Sequence, residues 1–600
     1  MLAALALYLP FYYYAPFYRE LYTHVVLFKV NWWFRWTFGQ HNGIQIYIAY
    51  VLMFMAIGLT AFFEYLYLSF VPSPARWAAL AICSAGCIFY LGSIGFFPPM
   101  ASIRVNGQGV LFITGAVTSA FICGHSFDRK WVKALLLLLL FCVCMVPTMW
   151  TFLCPDYMYF FAPALRILKG CALNQTYFQY DHCLSFLAMA WLKLGLPLDR
   201  FHVIIEFSYV AFFVGAFIMA KNFLIDKQLA FYFVFSLVLI KAYGNLGPLF
   251  NCPQVSPLRL DLWLVLLGLA YWKGPQHWSL GFALGAFLNF HHTFGVIYCL
   301  SYFILVFTIL IINFSKETFK TYIPNSCMII AGGLINRFFI SSNSAIPALN
   351  YVKYNIGFMP IDPKSFFWYV PVIVSAAFLL LWKNRKNLAQ RYFQTGLFLV
   401  FLAIGNLLYF FGRSHENNLI NIAAVLWLVF FMLIDLIIYR LPKRFAEIIN
   451  KIFIPLAGVF IVGAVAYFYS GQAVDRIKIQ AANLPKIAQL FQADKKVDLD
   501  FNEIRKVTGA SPNIIFLSIV HDFEYYYYGG YTPVDFCPLE SNIFKKDIQD
   551  TINDRISKGA YVIVPKDEYN NLIETIIFLN AKYKFRFNDF ALYSNNIPAS

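Results

Sequence analysis

Fourteen apolar runs succeed one another along this chain, near residues 45–71, 76–98, 110–125, 131–153, 202–220, 229–245, 259–272, 279–292, 294–314, 321–340, 366–382, 394–411, 419–438 and 451–470. Several reach about 20 residues, the length at which an α-helix crosses roughly 30 Å of hydrocarbon. Such a succession cannot fold as a string of soluble domains, because no globular core hides so many apolar faces. Composition agrees: 60% of the 600 residues are hydrophobic and only 13% are charged, where a soluble domain carries about 25% charged residues. The runs at 259–272 and 279–292 are short, which predicts tilted or broken helices. Residues 1–44, with Asn31, Arg35 and several Trp, read as one or two spans or an interfacial helix. The expected fold is a polytopic α-helical membrane protein of about 13–15 transmembrane helices with a small C-terminal α/β domain.

The net charge of +16 suggests a nucleic-acid partner only until it is divided by position. Residues 471–600 hold 15 Lys+Arg and 16 Asp+Glu, a net of −1, so residues 1–470 keep 31 basic and 14 acidic residues, a net of +17. The excess lies among the apolar runs, where it orients spans and does not bind a polyanion. If 131–153 runs outward, the inner loops are 125–133, 221–228, 271–278, 315–321, 382–394 and 439–450. These hold 15 Lys+Arg in 57 residues, whereas the outer segments hold 8 in about 98. The longer segments 154–201, 245–259, 341–365 and 412–418 then share the outer face with the tail. This predicts chemistry at the extracytoplasmic surface, with 171–200 forming interfacial helices and no span.

Three domains follow: additional spans over 1–130, a membrane core over 131–470 and an outer soluble domain over 471–600. In the tail, Asn513–Val520 and Tyr561–Val564 read as buried strands, 541–558 and 567–580 as helices, and Lys582–Ser594 as a final strand. The tail contains no GxGxxG, P-loop or nucleophile elbow. The first residues, MLAALALYLPFYYY, lack a basic n-region and read as a retained segment. The twelve cysteines show no metal-ligand spacing, and Cys154, Cys171, Cys183, Cys252 and Cys537 face outward, where one disulfide of unassigned pairing fits. No metal ligand or cofactor is assigned, and a divalent ion has no motif to support it.

Charges at a membrane are expensive, so the few outward acids stand out: Asp156, Asp181, Asp199, Glu206, Asp261, Asp362 and Glu416. Asp156 opens the amphipathic segment Tyr157–Gly170, which suits either a helix N-cap or a catalytic carboxylate. His291 and His292 lie at the outer end of an apolar hairpin. Adjacent histidines point about 100° apart on a helix and make poor joint metal ligands. They suit contacts to phosphate or sugar, and equally suit packed histidines. The segment Gly412–Asn418 packs Arg413, His415 and Glu416 between two spans, as a plain loop or as part of a site. Arg259 and Lys353 serve either as interfacial anchors or, with Arg413, as cations for a phosphate leaving group.

Taken together, PDYMYFFAPALRILKG resembles the hallmark of the C-type membrane glycosyltransferases (GT-C), the superfamily of the protein O-mannosyltransferases and the lipid A aminoarabinose transferases. That hallmark is an Asp after the first core helix, followed by D-x-x-Y-x-x-x-A-R-x-L-x-x-G. Asp156, Tyr159, Ala164, Arg166, Leu168 and Gly170 supply it with small shifts in spacing. YFQYDHCLSFLAMAWLKLG resembles the family's second juxtamembrane stretch, and FHVIIEFSYVAFFVGAFIMAKNF its next helix. Tyr157 stands where many members have a second acid, and Asp181-His182 where Pro-Pro or Pro-Leu is common. The resemblance implies a GT-C-like core over 131–470. It also implies transfer of a sugar from a polyprenyl-phosphate-linked donor to a glycan, lipid or protein hydroxyl, usually with inversion, with Asp156 as general base. The implied donor-phosphate and lipid contacts are Arg259, Lys353, Arg413, His415, His291 and His292. The implied acceptor-side or secondary residues are Asp181, Tyr159, Arg166 and Glu416.

Two other classes compete. A transporter or flippase of lipid-linked saccharides would place charges and broken helices at the bilayer midplane and often shows repeats. Here the polar residues gather at span ends and no repeat is visible. A glycan polymerase or ligase would also face outward, but would lack the Asp-plus-amphipathic-helix segment.

Overall fold

Between residues 202 and 440 the apolar runs fold as helices, and the charged, Gly- or Pro-containing stretches between them are where the chain turns. The computed structural model describes residues 146, 157–176, 178, 182–243, 253–312, 315–340, 367, 369–412, 416–442, 478–486, 499–509, 513–518, 522–534, 552–566 and 579–596. The runs at 45–71, 76–98, 110–125 and 451–470, nearly all of 131–153, and the expected domain 1–130 lie outside these residues.

The membrane part begins with α1 (Met158–Leu168) and α2 (His182–Lys193). The long helices are α3 (His202–Phe223), α4 (Gln228–Tyr243), α6 (Trp263–Lys273, preceded by the short α5, Pro257–Leu260), α7 (Trp278–Phe290) and α8 (His292–Ile312). They continue with α9 (Lys316–Ile335), α10 (Tyr369–Lys383), α11 (Gln390–Gly412), the short α12 (Glu416–Asn421) and α13 (Ala423–Arg440). Among the described residues four stretches are long and apolar enough to cross a membrane: Leu198–Phe223, Thr293–Ile312, Gln390–Phe410 and Ala423–Arg440. The chain is an integral membrane protein on this evidence. The run at 259–272 is indeed broken, at Asp261.

Because lipid offers no hydrophobic drive between helices, close packing needs small residues. The α7–α9 contact has them. A methyl group on Gly281 would lie 2.5 Å from Asn325 Cα, one on Gly285 2.6 Å from the Met328 carbonyl oxygen, and one on Gly332 would collide with the Gly285 backbone. Asn289 Nδ2 donates across this seam to the Gly332 carbonyl (3.1 Å), and Asn336 Nδ2 to the Leu288 carbonyl (2.9 Å).

Short connections reverse the chain, so the bundle has two chemically different ends. One carries Lys227, Lys273, Lys316, Lys383, Arg385, Lys386, Arg391 and Arg440 at or beside helix termini. Several serve last-turn carbonyls: Lys227 Nζ donates to Leu224 O (2.6 Å) and Arg391 to Trp272 O (2.8 Å). Here the buried Asp435 carboxylate accepts from the Ile225 and Asp226 N–H groups (2.8 and 2.9 Å) and from Tyr392 OH (2.9 Å). The opposite, polar end gathers the start of α3, the end of α4, α5, the α7–α8 corner and α12.

The tail docks at the polar end. Its sheet contains β1 (Ile514–Phe516), β2 (Tyr561–Pro565), β3 (Tyr583–Arg586) and β4 (Phe590–Ser594) in the order β1-β2-β4-β3, with β1 parallel to β2 and the other pairs antiparallel. β2 and β4 are buried along their whole length, and β3 is an exposed edge bearing Lys584 and Arg586. Lys582–Ser594, expected as one strand, is a hairpin instead. Asn588-Asp589 turn the chain, and Phe587 N donates to Phe590 O at 2.8 Å. One sheet face covers Ile552 and Ile556; the other packs on α14 (Phe501–Thr508), on α15 (Asp522–Gly529) and on Leu165 of α1. Phe161 of α1 stacks on Phe523 of α15 (centroids 5.6 Å, planes 8° apart).

Candidate functional site

The amphipathic segment after residue 156 does form a helix, α1, whose buried face is Tyr157, Phe160, Phe161 and Ala164. These rings meet Phe201 at the start of α3, which Trp191 of α2 also touches edge-on (5.9 Å). Tyr159 is buried. On the other side of α1, Arg166 donates to the carbonyls of Pro533 (2.7 Å) and Gln175 (3.1 Å), and Lys169 to that of Gly530 (3.1 Å). Arg166 thus ties α1 to its following turn and to the tail.

Two of the residues singled out for phosphate binding come together. Arg259 lies in α5 and His291 at the α7–α8 corner, both buried, with Arg259 Nε 3.3 Å from His291 Nε2. The guanidinium carbon stands 5.8 Å from the Tyr409 ring centre, and Phe294 packs edge-on to His291 (4.9 Å) and against Tyr409 (5.5 Å). The corner is a single residue: α7 ends at Phe290, α8 begins at His292, and the two helices pack together. Gly295 permits it, since a Cβ there would be 2.5 Å from the Phe287 carbonyl oxygen.

The corner also sets the chemistry of His291. Its Nδ1 accepts from the Phe294 N–H (3.2 Å), capping the first turn of α8. Arg259 Nε–H in turn donates to His291 Nε2 (3.3 Å). A neutral imidazole accepts at only one nitrogen, so each tautomer satisfies one of these two donors. The Arg259 guanidinium held here is the group suited to an anionic oxygen.

Beside this pair lies a lysine that sequence reading passed over. Lys241, near the end of α4, meets Asp261 Oδ2 at 3.2 Å and also donates to the Asn421 carbonyl of α12. Asp261 Oδ1 accepts from Trp263 Nε1 (3.1 Å), so the carboxylate is engaged by Lys241 and Trp263. The available signal was a lone lysine in the apolar run 229–245 close to its outer end, against the trend of basic residues at inner ends. Asp261 was noted as an outward acid and given no role.

A second buried pair, His202 and Glu206, occupies the first turns of α3, with Nδ1 and Oε1 3.7 Å apart. Among the described residues, neither carboxylate oxygen and neither ring nitrogen has a hydrogen-bond partner.

Asp156, Asp181, Lys353, Arg413 and His415 lie outside the described residues, as do the side chains of His292 and Glu416, whose backbones fall in α8 and α12. Of the outward cysteines, Cys171 is a free thiol, Cys183 lies in α2, and Cys154, Cys252 and Cys537 lie outside the described residues. Among the described residues no three His, Cys, Asp or Glu side chains are placed to hold a metal ion.

No protein-family model matches the chain, and no curated protein matches it in sequence. Among solved structures it is similar to the crystal structure of ArnT from Cupriavidus metallidurans bound to undecaprenyl phosphate, at 10% identity and a TM-score of 0.41, over 81% of this chain and 98% of that one. It is also similar to ArnT from the same organism in the apo state, at 11% identity and a TM-score of 0.39, over 81% and 97%.

Proposed function

We propose that this chain is a membrane glycosyltransferase that moves a sugar from a polyprenyl-phosphate donor to an acceptor hydroxyl at the extracytoplasmic face. The observation that carries this reading is the convergence of Arg259 and His291, a buried arginine held by a buried imidazole, at the end of the bundle that also holds α1 and the tail. A buried guanidinium at a membrane surface suits a lipid phosphate, whose charge grows as it leaves. By the positive-inside rule the end rich in Lys and Arg faces the cytoplasm and the polar end faces outward.

The reaction balances simply. Asp156, next in sequence to Tyr157 of the aromatic wall, takes the proton of the acceptor hydroxyl. The hydroxyl oxygen bonds to the anomeric carbon, and the carbon–oxygen bond to phosphate breaks with its electron pair on the departing polyprenyl phosphate. Arg259 and His291 stabilise that charge, and Lys353, Arg413, His415 and His292 complete the cationic set. Tyr159, Asp181 and Glu416 line the acceptor side, which Arg166 supports by holding the tail against α1. The acceptor is a glycan, lipid or protein hydroxyl.

The test is sugar transfer in membranes or detergent from a polyprenyl-phosphate-linked donor, with released polyprenyl phosphate measured directly. Asp156→Asn is expected to fold normally and to lose transfer by about 10²–10⁴-fold. Near-normal transfer in that variant removes Asp156 as the base, and lipid movement across vesicles with no phosphate release replaces the transferase by a flippase.

A further inference from the structure

We infer that Lys241 and Asp261 are positioning residues: a buried ion pair that fixes Arg259 relative to α12. The inference rests on the phosphate-site reading and deepens it.

Three elements meet at the Lys241 ammonium. Lys241 belongs to α4, Asp261 to the break between α5 and α6, and the Asn421 carbonyl to α12. Arg259 sits two residues before Asp261 in a helix of only four residues, so the direction of its side chain follows the path of that break. The backbone of this segment is also held by Tyr209 OH to Val255 O (2.8 Å), Ser256 Oγ to Pro253 O (2.8 Å) and Tyr298 OH to Leu260 O (3.2 Å). Lys241 joins it to α12, which follows Arg413, Ser414 and His415 in sequence.

Stability alone is a poor explanation for this pair. The Lys241 and Asp261 side chains are 4% and 1% exposed, and burying two charges offsets most of what their attraction provides. Directional contacts to three elements do supply geometry, which a phosphate site needs and apolar packing would not specify. Lys241 itself is not a phosphate ligand on this view, because Asp261 already balances its charge.

The experiment compares Lys241→Met/Asp261→Asn with the single variants and with Arg259→Ala. Asp261→Asn alone strands the buried lysine charge and is expected to lower the melting temperature; the double variant is expected to recover it. In the recovered protein, kcat/KM for the lipid-linked donor should fall about 10- to 100-fold, the scale of an ångström-sized misplacement, while KM for the acceptor stays at its wild-type value. Lys241→Arg, which keeps the charge but alters its reach, should show the same split to a smaller degree and serves if the double variant does not fold. Wild-type donor kcat/KM in the double variant or in Lys241→Arg, alongside lost donor use in Arg259→Ala, overturns the positioning role and leaves the phosphate site standing. Wild-type donor use in Arg259→Ala overturns both.

Discussion

His291 performs two tasks that a single substitution can separate. Its Nδ1 lies 3.2 Å from Phe294 N and its Nε2 3.3 Å from Arg259 Nε, the two N–H groups it can accept from. Replacement by Ala removes both acceptors. Losing a cap costs about 1 kcal/mol of stability, and losing a hydrogen bond to the charged Arg259 guanidinium about 1.5–3 kcal/mol. If the whole of the second figure falls on the proposed donor site, at 1.4 kcal/mol per decade it corresponds to a drop of roughly 10- to 150-fold in kcat/KM for the donor. Replacement by Asn divides the effects, because Asn ranks among the best caps and its side-chain oxygen can take the Phe294 N–H, while it is too short to reach Arg259 Nε as well. The expected result is a near wild-type melting temperature in detergent for His291→Asn, a reduced one for His291→Ala, and the same loss of donor kcat/KM in both. Wild-type donor kinetics in His291→Asn would show that Nε2 does not orient Arg259 for the donor phosphate. Equal melting temperatures for Ala and Asn would show that the capping bond contributes nothing.

Two further outcomes follow from the packing. Gly332→Val should part α9 from α7, where the Gly285 backbone leaves no room for a side chain, and lower stability by about 1–3 kcal/mol or more, read as a fall in melting temperature; an unchanged value would contradict the close seam. Arg166→Ala should loosen the tail segment around Pro533 from α1, raising protease cleavage in the tail while the bundle's own melting changes little.

The long elements were legible in the sequence because lipid imposes one rule on them, an apolar helix of sufficient length. The run at 202–220 is the core of His202–Phe223, and the run at 394–411 lies within Gln390–Gly412. The gap between the runs at 279–292 and 294–314 marks the corner at His291. Sites are harder, because they are made by residues distant in the chain. Arg259 and His291 were each visible as polar residues at a span end, but their 3.3 Å approach depends on how α5 meets the α7–α8 corner. Lys241 was hidden because a lysine near a helix end has an ordinary explanation, and only its contact with Asp261, twenty residues on, gives it another. Arg166 matched a motif position, but nothing local indicates that its partner is the carbonyl of Pro533. In the tail, residues 583–587 alternate aromatic and basic side chains and Phe590–Ser594 is aromatic and apolar, so both sides of Asn588-Asp589 read as extended chain and strand propensity alone merges two strands into one.

A site residue on a loop can be re-aimed by lengthening or shortening the loop. His291 offers no such freedom. One residue inserted between Phe290 and His292 would rotate α8 about 100° against α7 and advance it about 1.5 Å. It would move Gly295 off the Phe287 carbonyl and turn the tyrosines of α8, Tyr298 and Tyr302, out of the core where they are now buried. Length variation at this corner is therefore closed to the chain, and His291 can be re-aimed only by substitution within a fixed frame.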